Sequence, residues 1–547
     1  MSSSSTRERL GIVSTAIVST AVTLMSAVSY AEAEEPSYTQ STLVEGLPTH
    51  GINGVVFGPD GLLYGSTMMG TGLIRVDVNT GTLEKILTDQ ASGDDLAFAP
   101  DGSLAWTALL AQEVRMQAPD GTIRTVATGT PWVNPIKFDD ENRMFIGQVT
   151  QPDALQVIDL TGETPPRKIG EGYGGINAFE LDGQGGLVAP STFKGQAIRI
   201  DIETGESSVL AEGLGDVVAI RKGSDGLLYG VEWTGGRVLQ IDPVSGDFRV
   251  VAEPGPPLDN LAIADDGTLY VSRPSDTAII KVDPVTGEYS FVVNGQFSAS
   301  GGLVLTKQND ETVLFVSDLF GYRFVDPKTG AVTSTEFDLF KKAASAVAIN
   351  ESVIALAHVQ RGVVTLLDRV SEDRVTVWTS AKTPMAVALR NGNVVVTDYK
   401  AGEVVEFSPG DASTKRILAY GLRGPVGLAV AQDGSLIISE NTTGRLIKID
   451  GAGRKTTIAE GLDQPEGLAI RSDGKIIVAE VGTQSLSIVD PSSGAKTVIA
   501  TDLPVGDTIG QGLVPVHLPT GVAVTDDGVI YMTGDKDNSI LAFTPVQ

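Results

Sequence analysis

The sequence predicts an all-β protein, and three observations support this class. The 547 residues include 63 Gly and 27 Pro, and 41% are hydrophobic, which suits many short strands separated by turns. Apolar runs alternate with Asp-Gly turns, as in "GINGVVFGPDGLLYGS" from Gly51. The same pattern returns at a spacing of about 40 residues. The chain therefore reads as a series of repeated β units.

The repeat is clearest in "PVGLAVAQDGSLIISENTTGRLIKID" from Pro425 and "PEGLAIRSDGKIIVAEVGTQSLSIVD" from Pro465. A copy reads as a strand, an Asp-Gly turn, a second strand, a polar loop and a third strand that ends in Ile-Asp or Val-Asp. A further turn and a fourth strand follow. Four antiparallel strands at this period are the signature of a β-propeller blade.

Twelve such units can be counted along the chain. Their first strands begin near Asn53, Asp94, Asn134, Asn177, Asp216, Asp259, Gly301, Ser345, Met385, Val426, Glu466 and Thr520. Single propellers have about four to eight blades. The sequence therefore predicts two six-bladed propellers in tandem, at residues 38–290 and 291–547, with one twelve-bladed ring as the alternative.

The two ends of the repeat region are incomplete units. The chain finishes on a third strand, "SILAFTPVQ", whereas "YTQSTLVEG" from Tyr38 reads as a fourth strand with no blade before it. Unpaired strand edges promote aggregation. We therefore expect the terminal strands to pair with partners that close the rings.

Residues 1–33 predict a secretory signal peptide. Arg7 and Arg9 precede an uncharged stretch from Leu10 to about Val28, and Ala31-Glu32-Ala33 forms a cleavage pattern. A single membrane anchor is the alternative. The prediction is a periplasmic or secreted protein, with no membrane insertion after the signal is removed.

Composition excludes several classes of function. The chain has no cysteine, which removes thiolate mechanisms and cysteine-based metal sites. Its 68 acidic residues against 40 basic ones give a net charge of −28. Nucleic acids and anionic membranes bind clustered Lys and Arg, so neither is predicted as a partner. The acidity keeps an exported protein soluble and favours cation binding.

The residue just before each first strand is the most informative position, because first strands line a propeller's channel. In the N-terminal six units it is Asn or Asp every time: Asn53, Asp94, Asn134, Asn177, Asp216 and Asp259. In the C-terminal six units it is Gly301, Ser345, Met385, Val426, Glu466 and Thr520. One Asn or Asp near a turn usually caps the local backbone. Six in a row, absent from the other half, indicate a ligand.

A ring of carboxylate and amide oxygens suits a hard divalent cation, with Ca²⁺ first. Carboxyl groups that converge in a partly desolvated funnel need either such a cation or raised pKa values. The sequence therefore predicts a metal site in the N-terminal propeller.

The PxG entrance, the apolar strand that follows it, the "PDG" turn and the "LYG" or "LYV" after the turn resemble the six-bladed calcium-dependent phosphotriesterase superfamily. That group includes the gluconolactonase (senescence marker protein) family, the paraoxonases and diisopropyl fluorophosphatase. The second half is similar to NHL-repeat and virginiamycin B lyase-type propellers. The resemblance implies a cation held by Asn134, Asn177, Asp216 and Asp259, with Asn53 where the lactonases carry Glu.

The same resemblance implies that Asp216 also acts as general base. His50, in a loop expected to overhang the first funnel, is the other candidate base, and a hydrogen-bonded loop histidine is its structural alternative. Residues at the rim of the channel are candidates for substrate contact: Asp94, Trp132, Gln148, Glu232 and Arg273.

The leading functional hypothesis is an exported metal-dependent hydrolase whose small-molecule substrate is a lactone or ester, ahead of phosphotriesters. The cation would polarise the carbonyl oxygen and hold the attacking water. The C-terminal propeller would be a support or a partner-binding surface. One alternative is a non-catalytic binding protein, because a fold does not determine function. The other is a lyase that acts on a cyclic substrate.

Overall fold

A computed structural model describes residues 35–69, 72–87, 93–150, 152–339, 341–507 and 518–546. The predicted signal peptide, residues 1–33, lies outside these ranges. The chain from Ser37 onward forms one compact unit. In the described ranges the protein is built of twelve four-stranded antiparallel sheets, which confirms the predicted all-β class and the tandem propellers. None of the described residues forms a helix with the length and hydropathy needed to span a bilayer.

Sheets 1 to 6 follow one another along the first half of the chain, and we call them the N-terminal ring. Their strands are β2 His50–Phe57, β3 Leu63–Met69, β4 Leu73–Asp77 and β5 Thr82–Lys85 in sheet 1; β6 Leu96–Phe98, β7 Leu104–Ala108, β8 Glu113–Gln117 and β9 Ile123–Thr128 in sheet 2; β10 Val133–Phe138, β11 Met144–Gln148, β12 Ala154–Ile158 and β13 Arg167–Glu171 in sheet 3; β14 Glu180–Leu181, β15 Gly186–Ser191, β16 Gln196–Asp201 and β17 Ser207–Glu212 in sheet 4; β18 Val217–Lys222, β19 Leu228–Glu232, β20 Val238–Ile241 and β21 Phe248–Ala252 in sheet 5; β22 Leu261–Ile263, β23 Leu269–Arg273, β24 Ala278–Val282 and β25 Tyr289–Val293 in sheet 6. Two 3-10 turns, Thr192–Lys194 and Pro274–Asp276, link second and third strands.

Sheets 7 to 12 form the C-terminal ring. Their strands are β26 Leu303–Gln308, β27 Glu311–Asp318, β28 Gly321–Val325 and β29 Val332–Phe337 in sheet 7; β30 Ala346–Ile349, β31 Val353–His358, β32 Val363–Asp368 and β33 Arg374–Trp378 in sheet 8; β34 Pro384–Arg390, β35 Asn393–Asp398, β36 Glu403–Phe407 and β37 Arg416–Ala419 in sheet 9; β38 Pro425–Val430, β39 Leu436–Glu440, β40 Arg445–Ile449 and β41 Lys455–Ala459 in sheet 10; β42 Pro465–Ile470, β43 Ile476–Glu480, β44 Ser485–Val489 and β45 Lys496–Ala500 in sheet 11; β46 Val522–Val524, β47 Ile530–Thr533, β48 Ile540–Pro545 and β1 Tyr38–Val44 in sheet 12.

The first strand of the chain completes the last sheet. β1 pairs antiparallel with β48, from Tyr38 opposite Pro545 to Val44 opposite Ile540. Each terminal strand thus has a partner, as expected, and that partner is the other terminal strand. The pairing also corrects the predicted range 38–290, because residues 38–44 belong by hydrogen bonding to the twelfth sheet. The N-terminal ring is thus inserted between the first strand and the rest of the C-terminal ring.

Hydrophobic packing shows where each ring closes. Neighbouring sheets share apolar clusters, and one cluster joins sheet 1 to sheet 6 through Ile52 and Tyr270. Another joins sheet 7 to sheet 12 through Leu303 and Tyr531. Sheet 1 is therefore a neighbour of sheet 6 in space, and sheet 7 a neighbour of sheet 12, which makes two rings of six sheets rather than one ring of twelve.

At both closures, a hydroxyl side chain on the second strand of one sheet bonds to the backbone at the start of the first strand of the neighbouring sheet. Ser272 Oγ in sheet 6 donates to Asn53 O in sheet 1 at 2.5 Å. Thr533 Oγ1 in sheet 12 donates to Gly301 O in sheet 7 at 2.9 Å. The inner strands lie so close that a Cβ added to Gly467 would be 2.0 Å from Thr520 O. This explains the glycine that follows the entrance residue in many copies.

The two rings contact each other through the faces on which their first strands begin. The Trp233 ring of sheet 5 lies 6.0 Å from the Phe337 ring of sheet 7, centroid to centroid. The Arg323 guanidinium of sheet 7 donates to the backbone oxygen of Ser275 in sheet 6 at 2.5 Å. The funnel faces therefore meet along one side of each ring.

Candidate functional site

Two entrance residues of the N-terminal ring lie at irregularities in the pairing of their strands. The register of β2 shifts between Ile52 and Val55, and that of β10 shifts between Val133 and Ile136. Asn53 and Asn134 lie in these shifts, where the regular alternation of side chains is interrupted. Such bulges re-aim side chains, and they are frequent next to functional sites.

An upper layer of four polar side chains surrounds the mouth of the N-terminal channel. Asp94 is 5% exposed, and its Oδ2 accepts a hydrogen bond from Asn134 Nδ2 at 3.0 Å. The Asn53 amide interacts with the same carboxyl group and lowers its pKa. Asp259, 7% exposed, is close enough to Asp94 to raise that pKa by charge repulsion. Sheets 1, 2, 3 and 6 thus place one polar group each at the mouth.

Both carboxyl groups of the upper layer have raised pKa values. Burial, then the charges of Asp259 and Asp95, hold the pKa of Asp94 well above its ordinary value. Burial raises the pKa of Asp259 to about 7, and Asp95 adds to this while Arg221 opposes it. Desolvation and like charges both disfavour the ionised form. These two acids therefore lack full compensation by protein cations.

A lower layer of ion pairs lies beneath the mouth. Asn260 Nδ2 donates to Asp95 Oδ1 at 3.0 Å, and Arg221 Nη2 donates to Asn260 Oδ1 at 2.8 Å. Arg221 Nη2 is also 3.8 Å from Asp95 Oδ1. Lys137 Nζ lies 2.9 Å from Glu180 Oε2. Burial pushes the pKa of Glu180 upward, but Lys137 and Arg221 outweigh it and the pKa is lowered.

The charges of the two layers do not balance. The acids are Asp94, Asp95, Glu180 and Asp259, whereas the cations that face them are Lys137 and Arg221. Four negative charges against two positive ones leave two when all the acids are ionised. In addition, Asn53 is 1% exposed and its Oδ1 has no hydrogen-bond partner. Oxygen donors and an excess of two negative charges fit a hard divalent cation.

In the ranges that the structure describes, no group of three or more His, Cys, Asp or Glu side chains is arranged to hold a metal ion. The candidate donor set at the mouth therefore consists of two carboxylates, Asp94 and Asp259, together with amide oxygens.

Two other predicted ligands point elsewhere. Asn177 Oδ1 accepts a hydrogen bond from the N–H of Ala178, which follows it, at 2.8 Å. The Asp216 carboxylate accepts from the Thr234 N–H at 3.0 Å and from the Thr234 hydroxyl. Asp216 also lines a cavity of about 700 Å³ between the rings, together with Phe193, Trp233 and Phe337. The structure thus separates Asp216 from the group around Asp94 and places it on a cleft wall.

His50 lies between the rings rather than over the funnel. It is 1% exposed, and its Nδ1 is 3.0 Å from Ser298 O and 3.2 Å from Asn538 Oδ1. Its Nε2 is 3.0 Å from Asp507 Oδ2. All three partners belong to the C-terminal ring. Both ring nitrogens are occupied by the contact between the rings, so we assign His50 no catalytic role below.

Three of the rim residues are engaged in internal contacts. Gln148 Nε2 donates to Pro131 O at 2.7 Å. Glu232 is paired with Arg237, whose Nη2 donates to Oε1 at 2.9 Å. Arg273 Nε donates to Asp276 Oδ1 at 2.9 Å. The Glu232 and Arg273 contacts lie in loops between second and third strands, whereas Gln148 contacts the loop that enters sheet 3.

Trp132 differs from the other rim residues. Its side chain is 57% exposed, and its φ angle of 54° is unusual for an aromatic residue. It lies in the loop that enters sheet 3, on the funnel face. Leu110 and Phe193, 45% and 68% exposed, lie in loops on the same face. These three side chains give the funnel an apolar rim.

Most residues of the lower layer were not predicted from the sequence. Arg221 occupies a buried position near the end of the apolar strand "VVAIRK", and Lys137 and Glu180 follow their entrance residues by three positions. A charged residue inside an apolar strand was the signal that could have found Arg221. Asp95 was not singled out because it directly follows Asp94, which occupies the entrance position.

Comparisons with known proteins add little to this description. No family model matches the chain, and no curated protein matches it, so membership of the gluconolactonase and paraoxonase superfamily stays a prediction. Among solved structures, the chain is similar to virginiamycin B lyase from Staphylococcus aureus, with 15% identity and a TM-score of 0.38. The similarity covers 51% of this chain and 96% of that chain. The comparisons thus leave the tandem β-propellers as the feature that is established for this chain.

Proposed function

We propose that the protein is an exported divalent-cation-dependent hydrolase that acts on a lactone or ester at the mouth of the N-terminal channel. The observation that carries the proposal is a group of four buried carboxyl groups that faces only two protein cations, beside the unpartnered Asn53 Oδ1. Burying uncompensated carboxylates is costly, and a bound divalent cation would offset that cost.

The cation would be held by Asp94, Asp259 and Asn53, with Ca²⁺ as the first choice. Asn134 donates to Asp94 and thereby fixes the orientation of that carboxylate. The lower layer holds the neighbouring Asp95 and Asn260 in place through Arg221. When bound, the cation would polarise a carbonyl oxygen and lower the pKa of a water molecule.

Asp216 is the proposed proton acceptor. It lines the cavity between the rings, and hydrogen bonds from Thr234 orient its carboxylate. A carboxylate there would accept a proton from a water that attacks the cleft side of a substrate whose carbonyl oxygen lies at the channel mouth. The apolar rim of Leu110, Trp132 and Phe193 favours a substrate with an apolar or aromatic portion.

The test combines metal content with activity. The mature protein should bind Ca²⁺, measured by mass spectrometry of the metal, and should hydrolyse aryl esters or lactones until a chelator is added. Asp94→Asn and Asp259→Asn should lose both the bound cation and the activity. Asp216→Asn should keep the cation but lower kcat by at least about 100-fold, as expected for a general base.

A matched control is Asp266→Asn, which changes an exposed turn carboxylate in the same sheet as Asp259. It should leave cation content and activity unchanged. If Asp94→Asn and Asp259→Asn retain both properties, the proposal is wrong. Product analysis separates hydrolysis, which adds water, from elimination, which leaves an unsaturated product.

A non-catalytic binding protein is the second candidate. Gln148, Glu232 and Arg273, three of the rim residues predicted to contact substrate, are held in internal contacts. In this case the cation would be structural, and the same experiment would show a bound cation without hydrolysis of any ester or lactone.

A further inference from the structure

A second pair of buried acids lies on the funnel face of the C-terminal ring. Glu466 occupies the strand-entrance position of sheet 11, and Asp535 lies in the loop between β47 and β48 of sheet 12; each is 1% exposed. Burial raises the pKa of Glu466 to about 7. Burial, followed by the charge of Glu466, holds the pKa of Asp535 well above its ordinary value. The two groups lie on sheets that pack against each other, near enough for the charge of Glu466 to act on Asp535.

The oxygen atoms of this pair are only partly satisfied. Glu466 Oε2 accepts from the Thr520 N–H at 2.9 Å, and Asp535 Oδ2 accepts from the Asp507 N–H at 3.0 Å. Asp535 Oδ1 is buried without a partner. The Thr520 side chain faces the Glu466 carboxyl and lowers its pKa, yet its hydroxyl, buried in a residue that is 2% exposed, makes no hydrogen bond of normal geometry.

The basic side chains near this pair contact a third acid, Asp507. Asp507 Oδ2 is 3.0 Å from His50 Nε2 and 3.9 Å from Lys85 Nζ, both of the N-terminal ring. His50 also lowers the pKa of Asp535, but it is the last of the influences on that group. Among the described residues, the leading influences on the pKa values of Glu466 and Asp535 are burial, neighbouring acids and hydrogen bonds rather than a lysine or arginine.

Unpartnered hydroxyls surround the same junction. Thr49 precedes His50, Ser298 supplies the carbonyl that His50 contacts, and Ser539 follows Asn538, another contact of His50. The hydroxyl oxygens of all three are buried without a partner. Buried polar atoms are normally satisfied by protein, water or a bound ion. The junction therefore has spare oxygen donors as well as spare negative charge.

We infer that Glu466 and Asp535 bind a hard divalent cation, Ca²⁺ rather than a transition metal, beside the junction of the two rings. The donors are two carboxylates and the Thr520 hydroxyl, and oxygen-only donor sets of this kind select hard cations. Asp507 links the site to His50, so the bound cation stabilises the contact between the rings. This site is separate from the channel mouth of the N-terminal ring, and it does not depend on the proposed hydrolase.

The inference is tested by counting Ca²⁺ bound to the full-length mature protein at pH 8, by calorimetric titration and by metal mass spectrometry. Glu466→Gln and Asp535→Asn should each lose one Ca²⁺ per chain relative to the wild type. Thr520→Val, which keeps both carboxylates, should weaken that site several-fold. Asp526→Asn, an exposed carboxylate in sheet 12, should change nothing.

A further variant separates the two sites. Asp94→Asn should leave the Ca²⁺ that depends on Glu466 in place, whatever becomes of the channel-mouth site. Circular dichroism and thermal melts identify variants that have failed to fold; for these, the Thr520→Val affinity decides. If Glu466→Gln and Thr520→Val bind as much Ca²⁺ as the wild type with equal affinity, the two acids share a proton instead, and the inference is overturned.

Discussion

The channels of the two rings differ although their sheets are built alike. The N-terminal channel is lined by charged and amide side chains, including Asp94, Arg221 and Asp259. In the C-terminal ring, first-strand residues including Val347 and Met385 line a cavity of about 90 Å³. Both rings use the same turns and the same hydroxyl links between inner strands. The side chains that face the channel are therefore not required by the blade, and the polar set of the N-terminal ring needs a separate explanation.

The rings also differ in how they close. The C-terminal ring closes within a sheet, because β1 is hydrogen-bonded to β48. The N-terminal ring closes between two complete sheets, by the packing of sheet 1 against sheet 6 and by the Ser272 hydroxyl. One ring thus depends on a strand from far away in the sequence, and the other does not.

Deleting residues 38–44 should have the largest effect. The C-terminal ring would lose the hydrogen bonds of β1 and the buried Val44 side chain. At about 1 kcal/mol per hydrogen bond, and about 2 kcal/mol for the valine, the loss is at least about 5 kcal/mol. Its melting transition should fall by more than about 10 °C in scanning calorimetry, while a transition for the N-terminal ring persists.

The control for this deletion is Gln40→Thr, which changes an exposed residue of β1 and keeps the strand. It should alter neither transition measurably. If the deletion lowers both transitions equally, the rings unfold as one unit. The way in which each ring closes then makes no difference to its stability.

A buried arginine gives the second comparison. Arg221 and Arg471 follow the same "AI" dipeptide in the first strands of sheets 5 and 11. Arg221 faces Asp95 and Glu180 under the channel mouth, whereas Arg471 pairs with Asp473, whose side chain is 46% exposed. Arg221→Met should lower the free energy of unfolding by about 3–5 kcal/mol, because it leaves buried acids unpaired.

Arg471→Met is the matched control, and urea unfolding is the measurement for both variants. It should cost no more than about 1 kcal/mol, because water can solvate Asp473. Equal losses of unfolding free energy in the two variants would show that Arg221 stabilises the protein no more than an arginine in an ordinary turn contact does.

The fold could be predicted from the sequence because each blade repeats local signals. Turn residues and alternating apolar strands specify a blade within about 40 residues, and repetition makes the count reliable. The place of β1 was harder, since the strand pattern of Tyr38–Val44 does not say which distant strand completes its sheet. Only the pairing with β48 assigns it to the C-terminal ring.

The candidate site was predictable only in part. The entrance positions identified Asn53, Asp94 and Asp259, because the repeat register places them on one axis. The repeat register did not show that the Asp216 carboxylate accepts a hydrogen bond from Thr234, or that His50 contacts Asp507. Those contacts depend on loop geometry and on how two rings meet, which a repeat pattern does not encode.

The smallest effect in any single step is the response of the cation-free protein to a change of one pH unit. Burial raises the pKa of Asp259 to about 7, so the folded protein keeps a proton that the unfolded chain releases near pH 4. The free energy of unfolding should therefore fall as the pH rises from about 4 to 7, by up to about 1.4 kcal/mol per pH unit for each such group. Urea unfolding in the presence of a chelator measures this slope.

Asp259→Asn and Glu466→Gln each remove one such group, one from each ring, and each should reduce the slope. Asp266→Asn should not, because the pKa of that exposed acid is lowered by its turn hydrogen bonds. Saturating Ca²⁺ should reverse the slope in the wild type, since a cation favours ionised carboxylates. A reduction by Asp259→Asn alone would confine the buried acid effect to the N-terminal ring. A slope unchanged in both variants would mean that neither pair is protonated when the cation is absent.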